Sequence, residues 1–123
     1  MTMLAEPPLD LDEAATQIYA HLFQALAEPT RLAVLQHLAT GEHKVRDLVA
    51  HMGLAQSTVS KHLSFLLECQ LVTVRPEGRS SWYSLAQPER LAAIVTAAED
   101  LLRASGTDAE LCSHLRTPHL KVG

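Results

Sequence analysis

Three groups of residues in the 123-residue chain have types and spacing that can do chemistry. The first is Gln56-Ser57-Thr58-Val59-Ser60-Lys61-His62-Leu63-Ser64. At about 100° per residue, Val59, Leu63 and Leu66 share one direction, Ser57, Lys61 and Ser64 lie roughly opposite, and Ser60 falls between them. The outward face is then small, polar and basic, which lets a helix come close to base edges and phosphates. Gln56 can pair with adenine, and Lys61 with guanine or a phosphate. The second group is Arg75-Pro76-Glu77-Gly78-Arg79, two arginines around a turn, suited to a phosphate backbone and equally to a solvated loop. The third is Cys69 and Cys112, far apart in the chain and more natural in a reducing cytosol as free thiols or ligands than as a disulfide. His-Glu-x-x-His, Gly-x-Ser-x-Gly and a phosphate-binding glycine loop do not occur in the sequence, and no enzyme is expected.

The charge distribution fits a protein that meets a polyanion with one face. The net charge is −4, which argues against a generic nucleic-acid coat. Residues 1–39 carry Arg31 alone against five acids, a balance of −4, whereas residues 40–86 carry five basic against four acidic side chains, a balance of +1. His43, His51 and His62 lie in that middle segment and add positive charge below about pH 6.5. Apolar runs such as Leu91 to Val95 are far short of the roughly 20 residues a membrane span needs. The first residues lack the basic start and apolar run of a secretory signal, so the cytoplasm is the expected compartment and no membrane partner is expected.

Periodicity and punctuation supply the elements that must position these groups. Asp10 or Asp12 caps a first helix over about 11–26, with Leu11, Ala15, Ile18, Leu22 and Leu26 on one stripe. Pro29 opens a second helix that Gly41 stops, and Val45, Leu48, Val49 and Met52 mark a short third helix ending at Gly53. The next helix runs over about 56–69. The period then changes from 3.6 to 2, giving a hairpin over about 72–85 with Pro76-Glu77-Gly78 as its turn. Pro88 opens a helix over about 88–105, and Thr107 with Glu110 forms a capping box for a short last helix within an extension over 106–123. The expected fold is mainly α with one β-hairpin, a single winged helix-turn-helix domain over 1–123 that works as a dimer. A helix about 10 Å across fits the major groove, the helix before it braces it, and the hairpin reaches a neighbouring groove.

Several segments together resemble the ArsR/SmtB bacterial repressors: Ala27-Glu28-Pro29-Thr30-Arg31-Leu32, Val45-Arg46-Asp47-Leu48, Gln56 to Leu63, and Gly78-Arg79 followed by Trp82-Tyr83-Ser84-Leu85. The resemblance covers about residues 15–103. It implies a homodimer built on the first and last long helices, whose recognition helices meet an imperfect palindrome in double-stranded operator DNA. The DNA-contact set is then Gln56, Ser57, Thr58, Ser60, Lys61, His62, Ser64, Arg75 and Arg79. It also implies an inducer that weakens DNA binding and releases transcription.

The inducer sites of such repressors differ in position, and each is tested against this chain. Gln87, Glu89, Asp100 and Arg103 stand where zinc sensors place ligands on the last long helix, and an amide and a cation replace two of them. Lys44-Val45-Arg46 stands where other sensors have Cys-x-Cys. The chain is most similar to the CmtR-type cadmium and lead sensors, which implies thiolate ligands from Cys69 and from Cys112 of the extension, with His114 as a further donor and His119 behind it. Phe65 occupies the place of that pattern's first cysteine. The implied inducer is a divalent thiophilic ion: cadmium, lead or zinc. A metal-independent regulator that answers to redox state or a small molecule is the alternative, and a cysteine ending a helix is also commonly just a small core hydrophobe.

Overall fold

In the computed structural model, which describes residues 11–116, the chain runs α1 (Glu13–Ala27), α2 (Pro29–Leu38), α3 (Val45–Met52), α4 (Gln56–Glu68), β1 (Val72–Glu77), β2 (Ser80–Leu85), α5 (Pro88–Ala104) and α6 (Ser113–Arg116). The helix starts have local causes. Asp12 accepts the Ala15 N–H at 3.1 Å and caps α1, while Glu28 accepts the Arg31 N–H at 2.8 Å and caps α2 with Pro29 as its first residue. Gly53 ends α3 in the left-handed region at φ 66°, where a side chain is strained, and this makes the sharp turn into α4.

The strands pair antiparallel from Val72↔Leu85 to Glu77↔Ser80. The turn is therefore one step further along than the sequence suggested: Pro76 and Glu77 are paired strand residues, and Gly78-Arg79 is the two-residue loop. Gly78 at φ 62° explains the shift, because tight hairpin loops that match the strand twist need a positive φ that glycine adopts freely.

The core joins Val34 and Leu35 of α2, Leu48 of α3, Val59, Leu63 and Leu66 of α4, Val72 of β1, Leu91 of α5 and Leu115 of α6. The capping box expected at Thr107 and Glu110 does not start a helix. The Thr107 N–H bonds to Leu102 O at 2.9 Å and closes the end of α5 instead, and the Glu110 carboxylate lies 3.9 Å from Arg116. The last helix begins at Ser113, and Pro118, expected to end it, lies outside the described residues, as does Asp10. No helix of the described residues is long and apolar enough to cross a membrane.

Candidate nucleic-acid interface and thiol sites

Helix α4 presents the face its sequence implies. Val59, Leu63 and Leu66 are buried, whereas Gln56, Ser57, Lys61 and Ser64 are exposed and Thr58 and Ser60 are half-buried. No side chain caps its N-terminus. The first backbone N–H groups there are free to meet water or a phosphate oxygen.

Two expected contact residues point elsewhere. His62 is turned back toward α2, its Nδ1 3.4 Å from Arg31 Nη1 and 3.9 Å from a Glu28 carboxylate oxygen. It braces the helix rather than standing on the outward face. Arg75, three positions from the hairpin loop, donates from Nε and Nη2 to both oxygens of Glu42 at 3.1 and 2.9 Å. That bidentate bond holds the Glu42 carboxyl below its ordinary range and raises Arg75. Arg79, at the tip, makes no ion pair among the described residues and is the wing's outward cation.

Arg31 is a tie within the protein. Its guanidinium donates to the Ala25 and Gln24 carbonyls at the end of α1, at 3.1 and 2.8 Å, and lies 4.1 Å from the centre of the Phe65 ring. The His21 ring sits on Phe65 at 5.4 Å between centres. Its Nδ1 and Nε2 lie 3.8 and 3.9 Å from Cys69 Sγ. Phe65 and Cys69 share a flank, as i and i+4 must. The neighbour they share, His21 of α1, reads from sequence as a surface histidine more than as a ligand, because it stands 48 residues away and no motif pairs it with Cys69. Burial and then Glu68 push the Cys69 thiol up, against a smaller opposing effect of Arg31.

The second thiol belongs to a separate group. Cys112 Sγ lies 3.6 Å from His114 Nδ1, and the Cys112 N–H donates to Gln36 Oε1 at 2.8 Å, which fastens the extension to α2. Arg116 bonds Glu99 of α5 at 3.1 Å, Thr96 Oγ1 donates to the Arg116 carbonyl, and Leu115 is buried. No three His, Cys, Asp or Glu side chains among the described residues form a group set to hold a metal ion. Cys69, Cys112 and His114 are thus not such a group within one protomer; the chain offers Cys69 with His21 and, apart from it, Cys112 with His114. The alternative site on α5 is occupied by ion pairs, Arg103 binding Glu99 and Asp100 at 2.9 and 3.0 Å. His119 lies outside the described residues.

A family model described as "Bacterial regulatory protein, arsR family" matches residues 28–74, from the α2 cap through the recognition helix to β1. The probable mercury resistance operon repressor of Streptomyces lividans is 38% identical over 96 residues, 78% of this chain and 76% of that protein. The chain belongs to the arsR family. This arsR-family chain is also 48% identical over 67 residues to the transcriptional regulator CmtR of Mycobacterium tuberculosis, across 54% of its own length and 57% of that protein's. Its fold matches the solution structure of a homodimeric winged helix-turn-helix DNA-binding domain from Mycobacterium bovis with a TM-score of 0.66 and 29% identity, covering 89% of this chain and 100% of that one. As an arsR-family protein it is a winged-helix, DNA-binding transcription regulator, and not an enzyme. The matched residues 28–74 include Cys69 and exclude Cys112 and His114, so the family model speaks to one thiol group only.

Proposed function

We infer that this arsR-family chain is a homodimeric repressor that grips operator DNA with two copies of α4 and lets go when a thiophilic divalent ion, cadmium, lead or zinc, binds its cysteines. The observation that carries the DNA half is the division of α4 into a buried apolar stripe and an exposed face of Gln56, Ser57, Lys61 and Ser64. Thr58, Ser60 and Arg79 complete that surface, with Arg75 secondary because Glu42 neutralises it. The descriptions of the mercury-operon and CmtR relatives support a metal as inducer.

The donor set fits a soft ion without the cysteine that Phe65 displaces. Each thiol has an imidazole beside it, and sulfur with nitrogen is the mixture that zinc and cadmium accept. Cys69 with His21 of one protomer and Cys112 with His114 of the other would supply two sulfurs and two nitrogens. When bound, the ion supplies strong bonds to thiolate and imidazole. Cys69 must give up the proton that burial favours, so capture strengthens as pH rises. Drawing the end of α4 toward α1 and the partner's extension changes the tilt of two helices that must enter major grooves about 34 Å apart. DNA then weakens metal binding by the same factor that metal weakens DNA binding. The redox alternative has less support, because a thiol held protonated attacks an oxidant slowly.

The test follows thiolate-to-metal absorption and operator fluorescence anisotropy together while cadmium, lead or zinc is added to the reduced protein. Cys69→Ser and Cys112→Ser are expected to bind operator normally and to resist release. His21→Ala is expected to need roughly tenfold more metal. Normal release by both cysteine variants would overturn the thiol site.

A further inference from the structure

The opening of α3 carries cations that the DNA-contact set does not use. Lys44-Val45-Arg46 stands where other sensors of this kind have Cys-x-Cys, and an ammonium and a guanidinium offer donors only, with no lone pair for a metal. Both side chains line a cleft of about 280 Å³, together with Gln56 at the start of α4, Arg79 in the hairpin loop, and Ser80 and Ser81 of β2. Three elements separate in the chain thus turn cations and hydroxyls on one space, and no carboxylate lines it.

In a chain of net charge −4 this is a local positive excess without an internal partner. Arg46 and Arg79 make no ion pair among the described residues. Lys44 Nζ rests 4.9 Å from the centre of the Trp82 ring, which steadies the side chain without neutralising it. The carboxylates nearest in sequence are held by other donors: Glu42 by Arg75, Asp47 by the Lys44 N–H at 2.9 Å, and Glu77 by Trp82 Nε1 at 2.7 Å.

From this convergence we propose that the cleft seats the sugar-phosphate backbone of a DNA duplex, with Lys44 and Arg46 as contact residues beside Arg79. The proposal rests on DNA binding by this winged helix and is independent of the inducer. A phosphodiester oxygen accepts charge-assisted bonds from Lys44, Arg46 and Arg79 and hydroxyl donation from Ser80 and Ser81. The first N–H groups of α4, which no side chain caps, point at the same charge. Such contacts carry no sequence information and fix the register of a protein on its duplex. A strand held at once by the start of α3 and by the wing sets the angle at which α4 enters the groove.

The experiment uses the full chain and a duplex of arbitrary sequence, so that neither the operator nor a metal enters the outcome. Fluorescence anisotropy is followed across a salt series for the natural chain, Lys44→Ala, Arg46→Ala and Arg46→Lys. Each alanine variant is expected to lower the salt slope by about 1, and Arg46→Lys to keep it. The thermal melt of Arg46→Ala is expected to stay unchanged, since that side chain is exposed. On promoter DNA from beside its own gene, the alanine variants are expected to lose affinity in the same proportion, leaving the preference for that DNA intact. Unchanged slopes in both alanine variants, with the duplex bound, would overturn the cleft and leave the repressor reading standing. Lowered slopes without any preference for promoter DNA would do the reverse. Inorganic phosphate, titrated against the amide resonances of Ser80 and Ser81, is expected to give only weak shifts that do not saturate; saturation at micromolar concentration would assign the space to a small free anion and overturn the proposal.

Discussion

Lys61 and Arg79 are exposed cations with no ion pair among the described residues, whereas Arg75 is bound to Glu42 on both oxygens. Each unpaired cation that meets a phosphate releases about one counterion, so Lys61→Ala and Arg79→Ala are each expected to lower the salt slope of operator binding by about 1. Arg75→Ala is expected to change it much less; the measurement is anisotropy across a salt series, and equal slopes for all three variants would contradict the assignment. Glu28 leads to a pH prediction. The Arg31 backbone N–H it accepts, more than any other neighbour, holds its carboxyl below the ordinary value of 4.5, outweighing a smaller desolvation effect. A carboxyl depressed in the folded state stabilises fully above its unfolded value and loses that contribution as pH falls through the folded value. The stability advantage of the natural chain over Glu28→Gln is therefore expected to be constant near neutrality, to shrink as the pH falls below the ordinary value of 4.5, and to be lost once the pH is below the depressed folded value, as urea melts across the acid range would record. At this scale the outward face of α4 was legible, because helical geometry alone divides Ser57 and Lys61 from Val59 and Leu63. The contacts of Arg31 with the end of α1 and with Phe65, and of His21 with Cys69, were not, since distant helices bring these side chains together and no local period marks them.

At the scale of elements, the end of α4 repays a closer look because Cys69 is its cap. Gln70 follows at φ 62°, with its N–H bonded to Leu67 O at 3.0 Å and the Leu71 N–H to Leu66 O at 3.0 Å. This is the double bond pattern that closes a helix through a left-handed residue, a place that favours glycine. Gln70→Gly is expected to stabilise the fold by about 0.5–1 kcal/mol, the steric relief exceeding the added freedom of the unfolded chain. A rise in the urea midpoint at constant slope would report it, and a fall would show that the Gln70 side chain supplies something the backbone pattern does not. Helix and strand positions were readable within a residue or two because caps, prolines and apolar periods agree, as at Asp12, Pro29, Gly53 and Pro88. The two misplacements have backbone causes. Gly78 draws the hairpin turn onto itself, and α5 uses the Thr107 N–H for its own closure, which postpones α6 to Ser113.

For the whole molecule, the decisive feature is what one copy leaves uncovered. Helix α1 buries only Ala25 and exposes Ile18, Tyr19 and Phe23 at 69, 62 and 54%, and α5 exposes Leu101 at 70% beside Leu102 and Ile94. Next to them an apolar groove is lined by Leu26, Leu32, Leu91, Ile94, Val95 and Leu102. Patches of this kind on two helices mark an interaction face, and two-fold symmetry lets identical patches cover one another. The repressor reading requires that pairing, because one α4 reaches one half-site and linking two half-sites raises apparent affinity by about 10²–10⁴ without any new contact. A carboxylate at position 101 would be left in an apolar interface twice over, once per copy. Leu101→Glu is therefore expected to give a monomer in sedimentation and to weaken operator binding at least a hundredfold. The same change faces solvent in the single chain, so the helical circular dichroism of that monomer is expected to match the natural protein. Tyr19→Glu, on the other helix of the same face, is expected to behave alike. If both variants stay dimeric and hold the operator normally, α1 and α5 are not the joint between copies. If the natural chain itself sediments as a monomer, the mechanism in which metal alters the spacing of two α4 helices has no second helix to act on.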